Sequence, residues 1–209
     1  MFDSEIRHVG EVAFPRFTGA RVLMMPFHIH DPLGSLPNGL HGYVRMIEGL
    51  MGGRRGVGYL TVDEAELRAG EYHRRPGKHV DGIGPDGRSA AVWGGGGGYA
   101  ASGMYLAANV IGCRGWVGRQ EALPGEDGDC AHVEPKGREI IMGADQAYWC
   151  NPMALHEALP MTVDVQRQFV RISMPNDCPW HEGCTPNPLG IKPTGPIASE
   201  RTAFLNHRR

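Results

Sequence analysis

His79-Val80-Asp81 sets two metal-binding residue types one position apart. Along an extended backbone successive side chains alternate faces, so His79 and Asp81 would point the same way. A histidine from a later strand would complete a face of two imidazoles and one carboxylate around a single metal ion. Such a face leaves coordination positions open to other ligands. His156, in Leu155-His156-Glu157, is the candidate for that third position. Further on, residues 166–175 alternate as a strand, with Arg167, Phe169, Arg171 and Ser173 on one face. Gln168, Val170, Ile172 and Met174 take the other. A guanidinium is a planar fork that matches a carboxylate, and a serine hydroxyl adds one more donor. That face has a reason to attract an anion.

The elements that must position these residues are short. The chain of 209 residues carries 31 glycines and 16 prolines interleaved with apolar residues, a composition that breaks long helices and favours strands joined by turns. Strands are expected at residues 21–26, 58–63, 139–142, 146–149, 155–160 and 166–175. The apolar run 103–112 reads as a buried strand or a short buried helix, and 63–68 as a helical turn or polar loop. Residues 38–52 form the best helix candidate. Leu40, Tyr43, Val44, Ile47, Leu50 and Met51 make one apolar stripe, Asn38 is placed to cap its start, and Gly52-Gly53 ends it. Residues 121–138, rich in Pro, Gly and Asp, read as an exposed connection. The expected architecture is mainly β, a sandwich or barrel with one or two flanking helices.

In their order along the chain, His79-x-Asp81, His156 and Arg171-x-Ser173 resemble the Fe(II)- and 2-oxoglutarate-dependent oxygenases. The resemblance implies a double-stranded β-helix (jelly-roll, cupin-like) core. It also implies that His79, Asp81 and His156 hold iron and that an arginine binds the far carboxylate of 2-oxoglutarate. Arg171 is favoured as that arginine because Ser173 completes the Arg-x-Ser form, while Arg167 is nearer to His156 in sequence and shares the strand face. The implied activity is oxidation, such as hydroxylation, of a small molecule or peptide. One domain would then comprise an N-terminal strand and helix support (1–57), the core with the metal site (58–174) and an extended Pro-rich tail (175–209).

Two other readings use the same residues differently. A cupin-like metalloenzyme of isomerase or thiol dioxygenase type would keep the metal face and need no 2-oxo acid. A zinc-stabilised binding module would instead use Cys178, His181 and Cys184, whose soft ligands suit zinc. His28 and His30 would share a strand face before the turn at Pro32, and His73 reads as a half-buried surface histidine or a substrate contact. The five-glycine run 94–98, between Trp93 and Tyr99, lacks the following lysine of a phosphate-binding loop and suits a loop beside a cleft. Nucleic acid is disfavoured by a net charge of −2 without a basic block. No apolar run approaches the roughly 18 residues of a membrane span, and the N-terminus has no signal-peptide pattern. Five cysteines at irregular positions suggest free thiols. A soluble, cytoplasmic protein is the expectation.

Overall fold

Glycine and proline cut the chain into short antiparallel strands, and the computed structural model describes residues 1–82, 103–125, 128–175 and 180–198. In chain order they are β1 (Phe2–Ser4), β2 (Ile6–Glu11), β3 (Arg21–His28), α1 (Pro32–Ser35), a 3-10 segment (Asn38–Tyr43) and α2 (Val44–Met51). Then follow β4 (Val57–Leu67), β5 (Met104–Ala108), β6 (Cys113–Gln120), β7 (Arg138–Ile141), β8 (Gln146–Cys150), β9 (Leu155–Ala158), β10 (Val165–Ser173), β11 (Trp180–His181) and β12 (Ile197–Ala198). One sheet has six strands in the order β2-β8-β5-β10-β4-β3; in a second, β1, β7 and β9 all pair with β6, and β11 and β12 make a separate parallel pair. The fold is mainly β, with two antiparallel sheets and few helices.

Strand alternation gives the six-stranded sheet two different faces. On the outer one, Leu60, Val62, Tyr105, Val170 and Ile172 pack against Tyr43, Val44, Ile47 and Met51 of the helical layer. On the inner one, Met104, Leu106, Tyr148, Cys150 and Phe169 form a second cluster, and Cys113, Val117 and Ile140 of the opposite sheet pack onto it. Burying each such side chain stabilises the fold by about 1.5–3 kcal/mol, so two apolar faces suffice to hold three layers together.

Several local expectations change. The helix at 38–52 splits into a 3-10 segment and α2, and no side chain caps either start. Gly42 explains part of this, because a Cβ there would fall 2.7 Å from Cβ of Pro15 and the backbone runs hard against the preceding segment. The apolar stripe nonetheless faces inward as its spacing predicts. Residues 63–68 are not a turn: β4 runs through to Leu67, because Asp63 and Glu64 are buried with partners instead of solvated. Pro26 does not stop β3, which lies at the sheet edge, where a missing N–H breaks no ladder. The run 103–112 is the strand β5. The 121–138 connection is only partly exposed: Cys130 and Val133 are buried, and its backbone pairs with the His79 segment.

Candidate metal centre

The backbone around His79 is held on both sides. His79 N–H donates to the His156 carbonyl at 2.9 Å and His156 N–H returns a bond to the His79 carbonyl at 3.1 Å, so the two residues face each other across a ladder. On the far side Val80 N–H donates to Gly128 O and Cys130 N–H to Lys78 O, both at 2.9 Å. Alternation then separates the side chains. Val80 is fully buried among Phe2, Trp116, Cys130 and Leu155, while His79 and Asp81 point the other way. After Asp81 the chain presses on the loop before β9; a Cβ on Gly82 would lie 2.3 Å from Cβ of Pro152, so only glycine fits.

Both imidazoles are oriented in the same manner. Nδ1 of His79 bonds to the Gly77 carbonyl at 2.8 Å and Nδ1 of His156 to the Ala154 carbonyl at 2.9 Å. A carbonyl only accepts, so each Nδ1 carries the hydrogen and each Nε2 is the nitrogen left to face a ligand. These Nε2 atoms lie 3.9 and 3.8 Å from the two oxygens of Asp81, with ring centroids 4.4 Å apart. One ligand atom from each of the three residues falls within 4.8 Å of the others, and all three residues are buried. Among the described residues no other group of three or more potential ligands does this.

The electrostatics suit a cation. Burial pushes His79 down to about 3, with neighbouring His156 adding to the effect, so the imidazole is neutral and available. Burial alone would raise the Asp81 carboxyl. The Arg171 guanidinium outweighs it and holds Asp81 well below the usual carboxylate range. A buried carboxylate between two correctly turned imidazoles fits a divalent ion.

Arg171 lies at this centre and not at a distance from it: its Nη1 donates to Asp81 Oδ2 at 2.8 Å. Ser173 is fully buried with its hydroxyl toward Met24 Sδ. Arg167, four residues earlier on the same face, instead lines a pocket between the sheets with Leu106, Gly112, Cys113, Tyr148 and Phe169. Its side chain is 1 % exposed, and Nε and Nη1 have no hydrogen-bond partner among the described residues. A Cβ on Gly112 would approach Arg167 Nε to 2.9 Å, so that glycine makes room for the guanidinium.

Beside this pocket the fold assembles a polar group around Asp63, and His73, expected as a half-buried surface histidine or a substrate contact, has its side chain buried in it. Asp63 accepts from Arg21 Nε at 3.0 Å and from Arg74 Nη1 at 2.8 Å, and His73 packs against it. Continuing the alternation of β4 through Thr61, Asp63 and Ala65 was the signal, since these pair with Arg171, Phe169 and Arg167. The remaining candidates form no further group of three ligands among the described residues. His28 and His30 have rings 5.5 Å apart, with no third ligand among the described residues. His181 accepts from Gly183 N–H, and Cys184 packs with Leu23, Tyr59 and Trp180. Cys178 and the 94–98 glycine run with its aromatic flanks lie outside the described residues. No helix among the described residues is long and apolar enough to cross a membrane. Compared with known protein families, with curated proteins and with solved structures, the chain matches none.

Proposed function

We propose that this chain is a mononuclear non-haem Fe(II) oxygenase that consumes a 2-oxo acid, 2-oxoglutarate being the first candidate, and oxidises a small molecule or peptide. The observation that carries the reading is the pair of Nδ1–carbonyl bonds that leaves both Nε2 atoms facing Asp81 in a buried three-residue group. The strand order supports it. In a double-stranded β-helix four strands of each sheet interleave, and here β4, β5, β8 and β10 are interleaved along the chain with the His79 segment, β6 and β7 in succession, and β9.

His79, Asp81 and His156 would hold the metal, which when bound supplies open positions for a chelating 2-oxo acid and for O₂. The protein's own part is orientation and charge. The backbone carbonyls of Gly77 and Ala154 fix the imidazoles, and Arg171 keeps Asp81 ionised. Because Arg171 is engaged with Asp81, the anchor for the far carboxylate of the 2-oxo acid falls to Arg167. Leu106 and Phe169 exclude water around it and so strengthen a guanidinium–carboxylate contact.

The test is anaerobic purification, loading with Fe(II), and measurement of succinate released from 2-oxoglutarate in O₂. Slow release is expected, abolished in His79→Ala while the variant stays folded. Metal binding with no 2-oxo acid consumed would instead favour the cupin-like reading, to which the Arg171–Asp81 contact already lends some weight.

A further inference from the structure

Arg167 and His73 both bury nitrogens that find no hydrogen-bond partner among the described residues. Unsatisfied buried polar atoms are uncommon in folded proteins, and each costs stability that a bound ligand can restore. The side chain of His73 is 2 % exposed, and Nδ1 and Nε2 both lack a partner. Oδ1 of Asp63 lies 3.6 Å from Nε2, beyond hydrogen-bond reach. That carboxylate is in any case taken by Arg21 and Arg74.

The two orphans belong to one neighbourhood. Asp63 pairs in register with Phe169, and Arg167 with Ala65, the next inward position of β4. The guanidinium carbons of Arg74 and Arg167 lie 5.0 and 5.7 Å from the Phe169 ring centroid. Residues 70–71 are tied to Met161 by two backbone bonds, and the Met161 side chain meets the same Gly112 that packs on Arg167. Desolvation lowers the His73 pKa; Asp63 pulls it back up, and the Arg167 charge adds to the fall. Burial brings Arg167 down to about 10, which leaves it a cation at neutral pH. The neighbourhood thus holds one charged and one neutral donor, and its own anion, Asp63, is already bonded to Arg21 and Arg74.

We propose that His73 is the second donor of the Arg167 anion site, so that one small carboxylate is held between the Nε/Nη1 edge of the guanidinium and the buried imidazole. This rests on the carboxylate reading of the Arg167 pocket and not on the identity of the metal. His73 thereby becomes a specificity residue for the co-substrate.

The probe is glutarate, a dicarboxylate without the 2-oxo group, titrated by calorimetry into metal-free protein. Wild type is expected to bind, Arg167→Met to lose binding, His73→Phe to weaken it about tenfold, and His73→Gln, which keeps a donor, to stay within about twofold. Wild-type affinity in His73→Phe together with loss in Arg167→Met overturns the role of His73 and leaves the Arg167 anchor standing. Unchanged binding in Arg167→Met, or no binding by wild type, overturns both. Should His73→Phe not fold, the imidazole nitrogen resonances of His73 in wild-type protein decide. They are expected to shift on glutarate addition, and their failure to move overturns the proposal.

Discussion

The two faces of the β4–β10 pair bury charge in opposite ways. On the outer face the Glu64 carboxylate accepts from Tyr43 Oη at 2.5 Å, Gln168 Nε2 at 3.0 Å, and the backbone N–H groups of Thr18 and Ala20 at 2.6 and 3.0 Å. Gln168 uses its amide further, donating to the Pro15 carbonyl. This network ties the 15–20 segment and the 3-10 turn to the sheet. On the inner face, one residue along, stand Asp63, Arg167 and Arg171, with two buried nitrogens of Arg167 unmatched among the described residues. A buried polar group that is fully satisfied is scaffold; one that is not marks a place where something else belongs.

Three measurements can break this contrast, and the largest effect is expected on the outer face. Glu64→Ala strands several donors at once and should cost about 3 kcal/mol or more in denaturant unfolding. A loss below about 1 kcal/mol would mean that water replaces the carboxylate and that the network is not a lock. Arg167→Met should do the opposite. Replacing an imperfectly paired buried cation by an apolar side chain of similar length is expected to raise stability by about 1–2 kcal/mol while ending 2-oxo acid consumption. Substantial destabilisation would make Arg167 scaffold like Glu64.

The smallest effect is in pH. Burial raises the Glu64 carboxyl, but its donors outweigh burial and lower it from 4.5 to about 2. A depressed carboxylate contributes its full stability above its unfolded value and loses it as pH falls through the folded one. Wild-type stability should therefore decline from about pH 4.5 towards pH 2, and Glu64→Gln should flatten that decline. Parallel pH profiles for the two proteins would remove Glu64 from the acid transition.

Much of the site was legible because strand alternation is a local rule. His79 and Asp81 share a face with Val80 turned away, and Arg167, Phe169 and Arg171 share theirs, as period two requires. What local rules could not supply was which charges would be neutralised by which neighbours. The Arg-x-Ser form of Arg171 carries no sign that the packing of the two sheets sets its guanidinium against Asp81. Asp63 and Glu64 read as solvated loop because charge usually is, and they are strand because partners distant in sequence meet them.

The amino-acid sequence by itself determined the mainly β character, the inward and outward faces of its strands, and the three residues able to grip a metal ion. All of these follow from residue type, turn chemistry and a two-residue period acting over a few positions. Only the tertiary structure decided that His79 and His156 form a hydrogen-bonded pair across a ladder, that backbone carbonyls aim both Nε2 atoms at Asp81, and that Arg167 and His73 are left with donors unmatched. Those outcomes depend on contacts between segments far apart in the chain, where burial makes each polar group satisfied or conspicuous.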